Sequence, residues 1–279
     1  MNVMAPSPAP GNLTHPICVC FAGAAYADQL TDIKQKGEIV IGVRVAEPNS
    51  FVDPKTGEMV GYEIDIAKAV AKTIGVKPVF KPLASAARIS QLQQGNVDIL
   101  AASLTHNKQR EAQVDFSLTM FVTGQQVLVR TPSGVKDLPD LAGKKVLAVR
   151  GGTEELNLRK AVPNVEIVDV DTIQQAVLAL QHGDGVGYVA DETSLANDYA
   201  EFGGGRKDYA ILPTNVSVEP LALGIRKGET GVKTAVDDTL RALEKSGEAE
   251  KIFLKWYGPG TKANIAKRSF KFETDEIDR

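Results

Sequence analysis

Residues 102–117, ASLTHNKQREAQVDFS, carry two hydroxyls and a guanidinium at close spacing, directly after an apolar run, VDILA. Ser103, Thr105 and Arg110 together make a carboxylate socket. The strand end fixes the backbone, the hydroxyls donate hydrogen bonds, and the planar guanidinium can offer two parallel N–H groups to the two oxygens of one carboxylate. On spacing alone the alternative is a surface turn with a solvated arginine, the common fate of a single Arg after a strand. The socket reading therefore depends on whether the rest of the chain builds a cleft around this segment.

With 279 residues, 43% hydrophobic and 24% charged, the chain is long enough for one large or two medium domains. A net charge of −3 leaves no basic excess to displace counterions from phosphates, so no nucleic-acid partner is expected. Residues 1–27 contain no Asp, Glu, Lys or Arg, and charge begins at Asp28. The apolar run 17–25 is too short to span a bilayer and ends in Ala25-Tyr26-Ala27, the pattern read by signal peptidase. Residues 1–27 are read as a signal peptide cleaved after Ala27, although it lacks a basic start. Cys18 and Cys20 both lie in this leader, which leaves the mature chain without thiol or disulfide.

From Asp28 the pattern alternates strands and helices. EIVIGVRV (38–45) is β-branched; YEIDIAKAVAKTIG (62–75) sets Ile64, Ala67, Val70, Ala71 and Ile74 on one helical face with Gly75 as its C-cap. Strand VKPVFKPL, helix SAARISQLQQG and strand VDILA complete a β-α-β-α-β series, which predicts a parallel sheet covered by helices. After the extended run GQQVLVR (124–130) a second series begins with KKVLAVR (144–150). It continues through the glycine-led helix GGTEELNLRKA, strand VEIVDV, helix TIQQAVLALQHG and strand GYVAD, ending at Asp191. PLALGIR (220–226) is extended again, and two helices divided near Ser246 and Gly247 follow. The fold class expected is α/β in two lobes, 28–126 with 220–279 forming the first and 127–219 the second. Two crossing strands would join them, with a cleft lined by loops at the carboxyl ends of strands.

From about Ile39 to Tyr257 the chain resembles the solute-binding proteins of bacterial ABC importers for polar amino acids. The resemblance is carried by GEMVGYEIDIAKAVAK, by Thr105 and Arg110 leading into QVDFS, by LAGKKVLAVRGGTEE, by the Asp ending GYVAD, and by SGEAEKIFLKWYG, in that order. It implies a type II periplasmic-binding-protein fold: two parallel or mixed sheets joined by two crossing strands. It also implies a periplasmic monomer that binds an amino acid, works with an ABC permease in the inner membrane, is not an enzyme, and needs no cofactor or metal.

By the same resemblance Ser103, Thr105 and Arg110 hold the ligand α-carboxylate, Thr153 adds donors from the second lobe, and Asp191 accepts the α-ammonium. Arg44, Ser85 and Arg88 match the residues that embrace the distal carboxylate in the glutamate/aspartate receptors. Three arginines facing one cleft would repel one another, a pattern that an acidic ligand fits. Other readings are an Asp191 that caps the helix following it, an Arg44 paired with Glu47 or Asp65, and an Arg88 solvated on its helix. Two departures stand out. Ile173, near Asp171 and Thr172, occupies the place where those receptors tend to have His, and Glu154 and Glu155 follow Thr153 where the family more often has a hydroxyl. Glutamine, cystine or a derivative are alternative ligands. A cyclohexadienyl dehydratase-like enzyme, with Glu154 or Glu155 as general acid, is the catalytic alternative. His15, His106 and His182 lack metal-ligand spacing, Gly203, Gly204 and Gly205 lack the context of a phosphate loop, and Trp256 and Tyr257 are read as apolar anchors.

Overall fold

The computed structural model describes residue 1 and residues 28–202 and 207–274. The expected signal peptide after its first residue, with Cys18 and Cys20, and the three glycines 203–205 lie outside the described residues.

The chain opens with α1 (Gln29–Lys36), β1 (Glu38–Val43) and a short hairpin of β2 (Phe51–Val52) and β3 (Met59–Val60). Next come α2 (Tyr62–Ile74), β4 (Lys77–Pro82), a 3-10 turn (Ser85–Ala87) running into α3 (Arg88–Gln93), β5 (Ile99–Thr105) and α4 (Lys108–Glu111). A long strand, β6 (Val114–Arg130), leads to β7 (Lys145–Val149), α5 (Glu154–Ala161), β8 (Glu166–Val170), α6 (Ile173–His182), β9 (Gly187–Asp191) and α7 (Glu192–Glu201). The chain returns through β10 (Tyr209–Ile211) and β11 (Ser217–Arg226) to α8 (Thr230–Ser246) and α9 (Glu248–Tyr257). Among the described residues no helix is long and apolar enough to cross a membrane.

The strand order is β4-β1-β5-β11-β6-β9-β7-β8, with β10 also on β6. β1 pairs in parallel with β4 and β5, and β7 with β8 and β9, as the two βα series require. β6 and β11 run antiparallel between these groups and join them: β11 follows β6 from Arg226–Val114 to Ser217–Gln125, and β9 takes over β6 from Gln125 to Val129. This is the two-lobed α/β fold with crossing strands. The first crossing segment was expected to begin at Gly124, whereas the strand runs unbroken from Val114. Gly124 interrupts the apolar pattern but not the strand; a Cβ there would lie 2.6 Å from Asn215 Nδ2 and 3.3 Å from Glu192 Oε2, so the residue marks a close approach inside the strand.

Other boundaries shift for local reasons. The expected helix 85–95 starts as a 3-10 turn, and β5 extends through Ser103 to Thr105. Ser103 sits at φ 49°, left-handed for a non-glycine residue, beside the irregularity where β11 shifts register between Ala222 and Gly224. Helix α2 matches its apolar face, and Gly75 at φ 87° closes it.

Each lobe has its own core. In the first, α2, α8 and α9 cover β1 and β5 through Ile64, Ala67, Val70, Val236, Leu240 and Phe253, all buried. Tyr257 and Trp256 are anchors with polar ends: the Tyr257 ring packs 4.8 Å from Phe121 and its hydroxyl donates to Asn49 Oδ1, while Trp256 Nε1 donates to Asp65 at 2.8 Å. The tail after α9 folds back over this core, with Phe270 and Phe272 buried and Arg268 forked onto Glu244 at 2.6 and 2.8 Å.

Candidate functional site

Arg44, Ser85, Arg88, Ser103, Thr105, Arg110, Thr153 and Asp191 come from separate turns and strand ends, yet each is at most 8% exposed. Buried polar side chains on this scale need partners, and the partners show what each residue can still offer a ligand.

Arg110 is held by α4, whose N-cap Asn107 accepts the Arg110 backbone N–H at 2.9 Å. Its guanidinium donates to Thr105 O at 3.0 Å and to Gly151 O at 3.3 Å, so three of its five N–H groups remain. Arg88 is committed further. It donates to the carbonyls of Ser85 (2.9 Å), Ala102 (2.6 Å), Ser103 (3.0 Å) and Gly151 (3.0 Å), leaving one N–H. Burial, with Arg110 and Arg44 beside it, lowers Arg88 to about 9, which still leaves it charged at neutral pH. Arg88 is not the solvated helix residue of the alternative reading; it braces the 85–87 turn, β5 and the Gly151 turn together.

Among the described residues the Arg44 guanidinium makes no hydrogen bond or ion pair, although it is 5% exposed. Glu47 pairs with Lys262 and Asp65 with Lys255, so neither holds Arg44. Burial works against its charge, but Glu154 and Asp191, with Tyr188 and Glu63 beyond them, outweigh burial and raise its pKa above the ordinary value. Arg44 and Ser85 border a cavity of about 250 Å³ whose other wall is Val149, Asp171, Thr172, Ile173 and Gln174.

Asp191 stands at the N-cap position of α7 but makes no capping hydrogen bond. Burial, then Glu154, push its carboxyl up to about 7 against the pull of Arg44. Thr153 stands at the start of α5. Its hydroxyl accepts from Gln125 Nε2 at 2.9 Å, donates to Glu219 at 3.0 Å, and lies 3.4 Å from Thr105 Oγ1 across the cleft. Ser103 faces inward: its N–H donates to Glu63 at 2.7 Å and its hydroxyl accepts from Asn49 at 3.1 Å. Burial raises the Glu63 carboxyl to about 7, against the Ser103 N–H and then Arg44 and Arg88.

Glu63, Gln125, Asn157 and Glu219 were not singled out in the sequence. Asn157 Nδ2 reaches Gln125 at 3.0 Å and Glu219 at 2.7 Å, tying α5 to both crossing strands. A signal existed for two of them, since Gln125 and Glu219 are polar residues inside otherwise apolar strand runs. Their presence changes the charge pattern. Glu63, Glu154, Asp191 and Glu219 are buried among the three arginines, so the uncompensated triple positive charge expected from the sequence is absent. His106 follows β5 as a loop residue beside the cleft, stacked on Phe116 at 4.2 Å with Nε2 2.8 Å from Glu111.

The comparisons with known proteins agree with this architecture. The glutamine-binding protein of an ABC transporter from Bacillus subtilis is 32% identical over 234 residues, covering 82% of this chain and 84% of its own. The L-glutamate/L-aspartate-binding protein of Pseudomonas aeruginosa is 31% identical over 260 residues, covering 86% and 85%. Among solved structures, an ancestral arginine-binding protein bound to arginine superposes with a TM-score of 0.74 at 32% identity, covering 80% of this chain and 99% of that one. The family model for bacterial extracellular solute-binding proteins, family 3, matches residues 39–259. With that match over most of its length, and with its two lobes meeting over a buried polar cleft, this chain belongs to the bacterial extracellular solute-binding proteins, family 3.

Proposed function

We propose that this protein is the extracytoplasmic amino-acid receptor of an ABC importer, and that its ligand has a side chain ending in an oxygen acceptor. The observation that carries the reading is the pair of buried, opposite charges without a hydrogen-bond partner among the described residues, Arg44 and Asp191. Asp191 takes the α-ammonium, Arg110 with Thr105 takes the α-carboxylate, Thr153 adding its backbone N–H because its hydroxyl proton is given to Glu219, and Arg44 with Ser85 takes the distal oxygen. Glutamate and aspartate, favoured by the resemblance, provide that oxygen, and so does glutamine. Residues 28–126 with 220–279, and 127–219, act as the two bodies that close on the ligand, and an inner-membrane permease recognises the closed form. Arg88 contributes as the brace described above, with its one remaining N–H directed to the ligand set.

Calorimetric titration with glutamate, aspartate, glutamine, asparagine, arginine and cystine tests this. The tightest ligand is expected among the first four. Tightest binding of arginine, whose side chain ends in donors only, would exclude Arg44 as the reader of a distal oxygen. The catalytic alternative is reduced to Glu154, because Glu155 is half exposed and paired with Arg159; turnover of prephenate or arogenate would revive it.

Binding should depend on pH through Asp191. The groups facing it are Glu154, Arg44, Glu219 and Arg88, and its carboxyl titrates at about 7. An ammonium ligand needs the ionised carboxylate, so affinity is expected to fall as pH drops below about 7, approaching roughly tenfold per pH unit for one competing proton. Asp191→Asn should bind weakly at every pH and lose that slope. The ligand-free protein should show the opposite trend. Glu63 and Asp191 both have raised values, so the folded state holds protons that the unfolded chain has released. Their contribution is greatest below the ordinary carboxylate range and declines as pH rises through about 7, which thermal melts between pH 4 and 8 would register.

A further inference from the structure

Once Arg88 and Arg110 have donated to backbone carbonyls, and Asp191 is assigned to the α-ammonium, one charged group in the cleft has no task. Glu154 is 3% exposed, and its Oε2 is buried with no hydrogen-bond partner among the described residues. It is the first residue of α5, but its side chain does not point to solvent as first-turn acids commonly do. It folds back over the turn before the helix, so closely that a Cβ on Gly152 would lie 1.6 Å from Oε2. In that position it is the foremost opposing charge for both Arg44 and Arg110, yet it forms no ion pair with either.

Arg44 is thus a buried donor on the cavity wall and Glu154 a buried acceptor and its foremost opposing charge, and among the described residues neither side chain has a hydrogen-bond partner. An unpaired buried charge is costly, so a bound side chain is favoured when it satisfies both. A carboxylate offers acceptors only: it would satisfy Arg44 but set a second negative group against Glu154. A guanidinium or ammonium would satisfy Glu154 but oppose Arg44. A carboxamide has an oxygen for Arg44 and an N–H for Glu154.

We propose that Glu154 is a specificity-determining residue, which with Arg44 makes the site select a carboxamide amino acid, glutamine or asparagine, over the corresponding acid. The proposal rests on the receptor reading above and narrows it. The physical basis is the asymmetry of polar recognition, in which a site built to pair with a donor rejects the analogue that lacks it, because the site's own buried group is then left unpaired.

The test is calorimetric titration of the wild-type protein, Glu154→Gln and Glu155→Gln with glutamine, asparagine, glutamate and aspartate, with thermal melts to verify folding. In the wild type, the better carboxamide should bind at least about tenfold more tightly than its acid, the range expected when one hydrogen-bonded donor is lost to a buried charge. Glu154→Gln removes the charge and adds an N–H that a carboxylate can accept. It should shift the amide-to-acid ratio toward the acid by about tenfold or more. Glu155→Gln makes the same change in net charge on the exposed side of the same turn and should leave the ratio as in the wild type. If Glu154→Gln fails to fold, Glu154→Ala must show the same direction of shift. A wild-type preference for the acid, a ratio within twofold of wild type in the Glu154 variant, or an equal shift in the Glu155 variant would overturn the assignment of Glu154 and leave the receptor reading intact. Absence of binding to all four amino acids would overturn the receptor reading, and this proposal with it.

Discussion

Replacement of Arg110 by alanine is expected to weaken amino-acid binding by about 30-fold or more while leaving the fold largely intact. The magnitude follows from truncating one partner of a buried charge pair, which costs about 2–5 kcal/mol, much of it because the other charge is left unpaired. What makes Arg110 the sensitive position is its count of free donors. Two of its N–H groups are used, on Thr105 O and Gly151 O, and three remain for a ligand. Arg88, which donates to the Ala102 and Ser103 carbonyls and is also buried, should respond in the opposite way. Arg88→Ala takes a donor from four buried carbonyls, of which Gly151 O keeps Arg110, so its main effect should appear as a lower melting temperature of the ligand-free protein. Calorimetry and melting curves on the two variants separate these effects. Near-native affinity in Arg110→Ala would sink its assignment to the α-carboxylate.

Gly151→Ala is expected to block closure of the cleft. Gly151 sits at φ 85°, where an L side chain costs about 1–2 kcal/mol, and its turn is one of the places where the second lobe meets the first, Thr153 against Thr105 being another. Its carbonyl accepts from both Arg88 and Arg110, and a Cβ there would lie 2.4 Å from Ala86 Cα and 2.6 Å from Ala86 N. The two costs differ in kind. The φ strain is present whether the lobes are together or apart, whereas the clash exists only when the Gly151 turn rests on the 85–87 turn. Ligand affinity should therefore fall by more than ligand-free stability does, about tenfold for each 1.4 kcal/mol by which the clash raises the closed form. Small-angle scattering at saturating ligand should show a variant more extended than the wild type. Wild-type affinity together with wild-type compaction would mean that this turn is not a closure contact.

Much of this protein can be derived from its sequence because the relevant forces are local. The apolar face of 62–74 and the glycine that ends it are set by helical periodicity and by the ease with which glycine adopts positive φ. The alternation of strands and helices, and an extended return at 220–226, follow from runs of β-branched residues and from the rule that parallel strands need a covering connection, while its antiparallel direction and its start at Ser217 came from the fold. The local setting of Thr105 and Arg110 was legible too, since they lie at the end of a strand and on the helical turn that follows it.

Tertiary structure alone decided which charges share the cleft and what each has left to give. Arg44, Arg88 and Arg110 look alike in sequence, but among the described residues the first has no hydrogen-bond partner for its guanidinium, the second is almost fully spent on carbonyls and the third keeps three of its five N–H groups. Glu63, Glu154 and Glu219 look like ordinary first-turn or strand-edge acids, but the fold buries them among those arginines. No local pattern encodes that outcome. The balance of a buried site is set by long-range pairing of β5, β6 and β11 and by the meeting of two lobes. In a low-dielectric cleft each charge is governed by its neighbours in space, so the placement of Thr105 and Arg110 was readable from the chain and the balance of charge around them was not.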